Sequence, residues 1–131
     1  MSAIIHHMLD AAPAPVAPFS HAVEADGWVF VTGQIPENPD NEHEPLPAGI
    51  EAQTRRVMEN LKLVLSEIGL GLEHVIAARA FIIDMREFET MNQIYASYFP
   101  PSKRPARTCI GVTGLAKGAR VEIDFIARRP G

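Results

Sequence analysis

VIAARAFII, residues 75–83, is the stretch on which the fold turns. Its β-branched and apolar side chains occupy both faces of an extended chain, as in a strand covered on two sides. The flanking segments supply one of the covers. Upstream, apolar residues fall at 50, 57, 58, 61, 64, 65 and 68 with charged residues between them. That spacing predicts an amphipathic helix, and Gly69 offers its C-terminal stop. Downstream, Asp84 and Glu87 stand at capping-box spacing, and Phe88, Met91, Tyr95 and Tyr98 trace a second helical stripe that Pro100-Pro101 terminates. The stripe predicts about four turns.

Moving toward the N-terminus, HAVEADGWVFVTG (21–33) places two apolar runs around Asp26-Gly27. That dipeptide tolerates positive φ and closes a tight hairpin, so strands are expected near 21–25 and 28–33. APAPVAP (12–18) is not helical, because proline lacks an N–H and pushes its predecessor into extended geometry, so it is either an ordered extended lead-in or a loose arm. Residues 1–12 are then an N-terminal arm, with room for a further strand at 3–7. Residues 35–49 hold four prolines and no period, which predicts a surface loop.

Toward the C-terminus the chain alternates over 107–113 and again over 120–127, with GLAKGA (114–119) between, and the two runs are expected to form a hairpin. Val121, Ile123, Phe125 and Ala127 share one face of the second run, with Glu122 and Asp124 on the other. The order β-β-α-β-α-β-β predicts one α+β domain over 1–131, a sheet of five to six strands with both helices on one face. The other face of the 75–83 strand then leaves water only against a partner. At ~25 cal/mol per Å² of apolar surface, this predicts an oligomer.

Composition narrows the function. A chain of 131 residues with 47% apolar content supports one core. The net charge of −4, with its basic residues dispersed, argues against a nucleic-acid partner. A single cysteine excludes an internal disulfide and fits the cytoplasm. The N-terminus lacks a basic signal-like region, and no run approaches the ~20 apolar residues of a membrane span. The five histidines show no ligand spacing, so no metal site is expected, and they are read as solvent-facing or loop residues.

One residue breaks its local pattern. In KRPARTCIGV (103–112), Arg107 leads a strand face otherwise made of Cys109 and Gly111. A guanidinium beside apolar neighbours needs an anion. Either Glu122 or Asp124 supplies it across the expected hairpin as a structural ion pair, or a ligand does.

The blocks APFSHAV, VTGQIP, QTRRVMENLKLVL, MNQIYASYF, PARTC and RVEIDFIA, taken in order, resemble the Rid (YjgF) family of reactive imine and enamine deaminases over roughly residues 12–127. The resemblance implies a chorismate-mutase-like fold with a mixed sheet, assembled as a homotrimer around a central barrel with ligand sites between subunits. It also implies RidA-type hydrolysis of 2-iminobutanoate, 2-iminopropanoate or their enamine tautomers to 2-oxo acids and ammonia. Carried over by block, Arg107 holds the substrate carboxylate and Glu122 is associated with the attacking water. Cys109 lines the site and acts mainly through its backbone. Asn92, Thr32 and Gly33 match site-lining positions. Phe19 stands where many members carry Tyr, and Thr32 where Ser is commoner, so the first change bears on substrate identity more than on the reaction.

The chemistry suits these side chains. Arginine's planar fork makes two parallel charge-assisted hydrogen bonds to a carboxylate, which lysine cannot reproduce. A carboxyl group partly shielded from water exchanges protons nearer neutrality, as Glu122 would need to. No metal or organic cofactor is required. Two other readings stand beside the deaminase: a non-catalytic metabolite-binding or holdase module using the same pocket, and a ribonuclease or translation inhibitor, which the acidic surface disfavours.

Overall fold

The computed structural model describes residues 3–131, so Met1 and Ser2 of the expected arm lie outside the described residues. One six-stranded sheet carries two helices. Its strands are β1 (Ile5–His7), β2 (Ala22–Ala25), β3 (Trp28–Gln34), β4 (Val75–Ile82), β5 (Ala106–Gly111) and β6 (Val121–Arg128). They lie in the order β1-β2-β3-β6-β4-β5, antiparallel except for the parallel β4–β5 pair. The arm is ordered from its first strand onward, since Ile5–His7 pairs with β2. Asp26 and Gly27 take φ of 52° and 80°, so the β2–β3 hairpin closes through two left-handed residues as expected.

Helix α1 (Ile50–Glu67) follows the predicted stripe and buries Val57, Met58, Leu61, Val64 and Leu65 completely. Beneath it lie Val29, Val31, Ala80, Ile82, Val121, Ile123 and Phe125 of the sheet's inner face. Tyr95 and Phe99 extend this core, their rings 5.1 Å apart, with Phe99 meeting Phe125 edge-on at 6.4 Å.

Helix α2 spans only Phe88–Ala96, nine residues rather than four turns. Asp84 caps a separate 3₁₀ turn, Met85–Glu87, by accepting the Arg86 N–H, and Glu87 turns its carboxylate to Arg120 at 2.7 Å instead of closing a capping box. At the other end Ser97 Oγ donates to the Ile94 carbonyl at 2.6 Å, and the backbone tightens to three-residue hydrogen bonds through Phe99. Tyr98 therefore leaves the stripe and donates its hydroxyl to Glu59.

The last two strands do not form the expected hairpin. β5 takes the sheet's edge beside β4, while β6 inserts between β3 and β4. Burial explains the exchange. Val121, Ile123, Phe125 and Ala127 form a wholly apolar inner face that only a central position covers, whereas β5 has no fully buried residue and suits an edge.

The chain covers only one face of β4. On the opposite face Ile76 and Phe30 are 43% and 51% exposed, with Phe81 half-buried further along β4 beside Glu122. Among the described residues no helix is long and apolar enough to cross a membrane.

Candidate functional site

β5 pairs in register with β4 so that Arg107 stands beside Ala78 and Cys109 beside Ala80, both on the face turned toward the helices. The Arg107 guanidinium donates through Nη2 to Asn92 Oδ1 at 2.7 Å, and its Nη1 lies 3.9 Å from Met91 Sδ. It also lies over the rings of Tyr95 (4.9 Å to the centroid) and Phe88 (5.7 Å). Aromatic faces offset part of the cost of holding such a charge away from water, but they do not neutralise it. Among the described residues no carboxylate pairs with Arg107.

The structural ion pair considered for Arg107 thus does not form, and strand order is the reason. β4 separates β5 from β6, so the cross-strand neighbour of Asp124 is Arg79, which takes its carboxylate in a two-pronged bond with Nη2–Oδ2 of 2.6 Å. Glu122 and Asp124 stand on the outer face of the sheet and Arg107 on the inner one.

Around Arg107 is a cleft of about 310 Å³ lined by Asn92, Tyr95, Ala96, Arg104, Pro105 and Arg107. The Tyr95 hydroxyl is buried there with no hydrogen-bond partner among the described residues, and burial pushes its pKa up despite the nearby guanidinium. Burial likewise pushes the Cys109 thiol up, with Arg107 opposing more weakly. A raised thiol pKa disfavours the thiolate, so Cys109 has no activation as a nucleophile.

Glu122 occupies a different cleft, also about 310 Å³, with Phe19, Thr32, Gly33 and the proline-rich arm from Pro13 to Ala17. Strand β3 bulges between Val31 and Gln34, and this places Thr32-Gly33 against Glu122. A side chain at residue 33 would meet the Glu122 carboxylate, so glycine here lets the carboxylate lie against the β3 backbone, and a larger residue would displace it. Glu122 is half-buried, and among the described residues nothing donates a hydrogen bond to it. Burial first, then the charge of Asp124, push its pKa above the usual carboxylate value, with Arg79 opposing.

The walls of this cleft depend on residues that pattern reading passed over. His21, read as a solvent-facing or loop residue, lies in a bend just before β2 but is only 2% exposed. Its Nδ1 accepts the Leu9 N–H at 2.9 Å and its Nε2 donates to the Pro13 carbonyl at 2.7 Å, which ties the arm to β2. Those two backbone partners are why burial is tolerated. On the far side, Lys117 reaches buried Glu37 at 2.7 Å, and Asn60 donates to the carbonyls of Ile35 and Glu37. None of these has a sequence signal beyond its place beside a recognised block.

The structure therefore gathers Phe19, Thr32, Gly33 and Glu122 in one cleft and Asn92 with Arg107 in another, on opposite faces of the sheet. Cys109 lines neither cleft and lies two residues along the strand from Arg107. Arg104 and Tyr95 join the Arg107 cleft although neither was singled out as a site residue.

Comparison with known proteins points one way. The family model described as endoribonuclease L-PSP matches residues 9–129. A RutC family protein of Synechocystis is 40% identical over 119 residues, covering 91% of this chain and 92% of that one. The crystal structure of RidA from the Antarctic bacterium Psychrobacter superposes with a TM-score of 0.88 at 30% identity, covering 95% of this chain and 98% of that one. The crystal structure of E. coli TdcF with bound serine superposes with a TM-score of 0.87 at 31% identity, covering 96% and 99%.

Proposed function

Since the chain belongs to the endoribonuclease L-PSP family, also called Rid or YjgF, we propose that it hydrolyses reactive 2-imino acids, such as 2-iminobutanoate and 2-iminopropanoate or their enamine tautomers, to 2-oxo acids and ammonia. The observation that carries the reading is the Arg107 guanidinium, positioned by Asn92 and two aromatic faces with no carboxylate partner among the described residues. Such a group accepts a small carboxylate without first breaking an ion pair. The serine bound by TdcF is a small molecule that carries a carboxylate, and it supports the same use here.

Glu122 supplies the proton chemistry. As a water oxygen bonds to the imine carbon, the carboxylate takes one water proton and returns it to the nitrogen, giving a tetrahedral carbinolamine. The hydroxyl proton of that adduct then passes through Glu122 to the amine. The C–N bond breaks, ammonia leaves, and the electron pair of the O–H bond becomes the new carbonyl. The raised pKa of Glu122 suits both transfers. Asn92 fixes Arg107, Thr32 and Gly33 shape the water side, Phe19 offers an apolar wall to the substrate side chain, and Cys109 contributes backbone from the edge strand.

Arg107 and Glu122 face opposite ways in one chain, so the reading requires sites shared between neighbouring copies of a homotrimer. The uncovered apolar face around Phe30, Ile76 and Phe81 supports that assembly. A cytoplasmic location belongs to the same reading and is supported by the single cysteine of the chain.

The test is accumulation of 2-oxobutanoate when threonine dehydratase generates 2-iminobutanoate in situ, with and without this protein. No acceleration with any small imino acid would transfer the case to a non-catalytic binding module. Shared sites have their own test. Arg107→Ala and Glu122→Gln chains, each inactive, should regain activity when unfolded and refolded together. In randomly mixed rings about a quarter of the sites join an intact Arg107 to an intact Glu122, one half multiplied by one half. A mixture as inactive as its components would rule out shared sites.

A further inference from the structure

The cleft that holds Arg107 contains a second guanidinium. Arg104 stands three residues earlier, across Pro105, and lines the same 310 Å³ space. Most of the chain's basic side chains stand against carboxylates, Arg79, Arg86, Arg120 and Arg129 among them. Arg104 and Arg107 pair with none among the described residues, and no acidic residue lines their cleft. A protein of net charge −4 thus keeps two uncompensated cations at one opening. The other polar groups there are the Asn92 amide and the Tyr95 hydroxyl, the latter buried with no partner among the described residues. Like charges sharing a cleft repel, and a ligand with one carboxylate relieves only one of them.

We propose that Arg104 and Arg107 together select ligands with two anionic groups, and that the preferred substrate is a 2-imino dicarboxylic acid, its 2-carboxylate on Arg107 and its side-chain carboxylate on Arg104. The inference rests on the deaminase reading for the reaction, and on the cleft alone for the anion preference. Pro105 restricts the Arg104 backbone to extended geometry, so the course of the chain between the two arginines is limited before the ligand arrives. Arg104 is exposed, so the preference it confers is sensitive to salt.

Calorimetric titration of the whole protein with 2-oxoglutarate and with 2-oxobutanoate, the stable 2-oxo products of a dicarboxylic and a monocarboxylic imine, tests the proposal. Wild type should bind 2-oxoglutarate about tenfold more tightly, and Arg104→Gln should reduce that ratio to about one. Equal affinities in wild type, no binding of either acid, or an unchanged ratio in Arg104→Gln would each overturn the proposal. Lys103→Gln separates a defined subsite from diffuse attraction: it should keep the wild-type ratio, and a loss equal to that of Arg104→Gln overturns the subsite. The two readings fail separately. Dicarboxylate preference without acceleration of any imine removes the deaminase and leaves the anion pair, whereas turnover of 2-iminobutanoate without dicarboxylate preference removes only the pair.

Discussion

The two clefts differ in how they are built and agree in what they lack. The Arg107 cleft comes from one helix and one adjacent strand, with Asn92 and Arg107 only fifteen residues apart in the chain. The Glu122 cleft is drawn from segments far apart in the chain: the proline-rich stretch from Pro13 to Phe19, the bulge of β3 with the loop that follows it to Glu37, and the turn at Ala116 with β6. The first holds a cation with no counter-ion, and the second holds an acid whose charged form burial disfavours. A substrate bearing a carboxylate and an electrophilic carbon answers both deficits at once, provided that the two clefts belong to different copies of the chain. Incompleteness in one chain is therefore itself a structural argument for where the chemistry occurs.

Removing the acid should have the largest effect. Glu122→Gln keeps the shape of the side chain but cannot carry the proton, and 2-oxo acid release should fall by about 10²–10⁴-fold. Loss of less than a factor of ten would move the proton chemistry to another group and leave the Glu122 cleft as shape alone. Next comes the anchor. Arg107→Lys keeps the charge but loses the planar fork and its stacking on Tyr95 and Phe88, so kcat/KM should fall about 10–100-fold. Full activity in that variant would show that the cleft needs only a cation.

The same contrast explains what could be read in advance. Arg107 was legible because it interrupts a small-residue strand face, and Asn92 because it lies in a block that travels with it. Both signals are local. Helix α1, the hairpin at Asp26-Gly27 and the inner face of β6 were legible for the same reason, since periodicity and turn chemistry act within a few residues. The partner of β6 was not. Its neighbours are chosen by which strands need cover on both sides, a competition among segments up to a hundred residues apart that no window of sequence contains. Once β4 intervenes, Arg79 takes Asp124, and Arg107 is left without an acid among the described residues. The burial of His21 was not legible for a related reason: it depends on two backbone groups, at Leu9 and Pro13, and neither advertises the bond.

His21 gives the non-local cleft a test of its own. His21→Ala leaves the Leu9 N–H and the Pro13 carbonyl without partners beside a new void, which should cost about 2–3 kcal/mol in denaturant unfolding. Because the arm is the wall of the Glu122 cleft, KM should rise as well, while Arg107 chemistry in the other cleft stays as it was. A variant with wild-type stability would show that the arm is held by its strand β1 alone.

The smallest effect is also the sharpest, because it sets stability against activity at one residue. The folded-state pKa of Glu122 is raised above its unfolded value, which lies near 4.3 for an ordinary glutamate. Protonated, the side chain costs the fold little. Charged, it stands half-buried beside Asp124 with no donor to it among the described residues. Its favourable contribution is therefore complete below the unfolded pKa and is lost as pH rises through the folded one. Glu122→Gln, the variant expected to lose the most activity, should then melt about 1–3 °C higher than wild type at pH 7, and the gain should vanish below about pH 4, where the wild-type acid is protonated in both states. A variant that melts lower than wild type at neutral pH would mean that the carboxylate is held by favourable contacts in the assembled protein. In that case the cleft is a binding surface for its neighbour, and its acid is not poised for proton transfer.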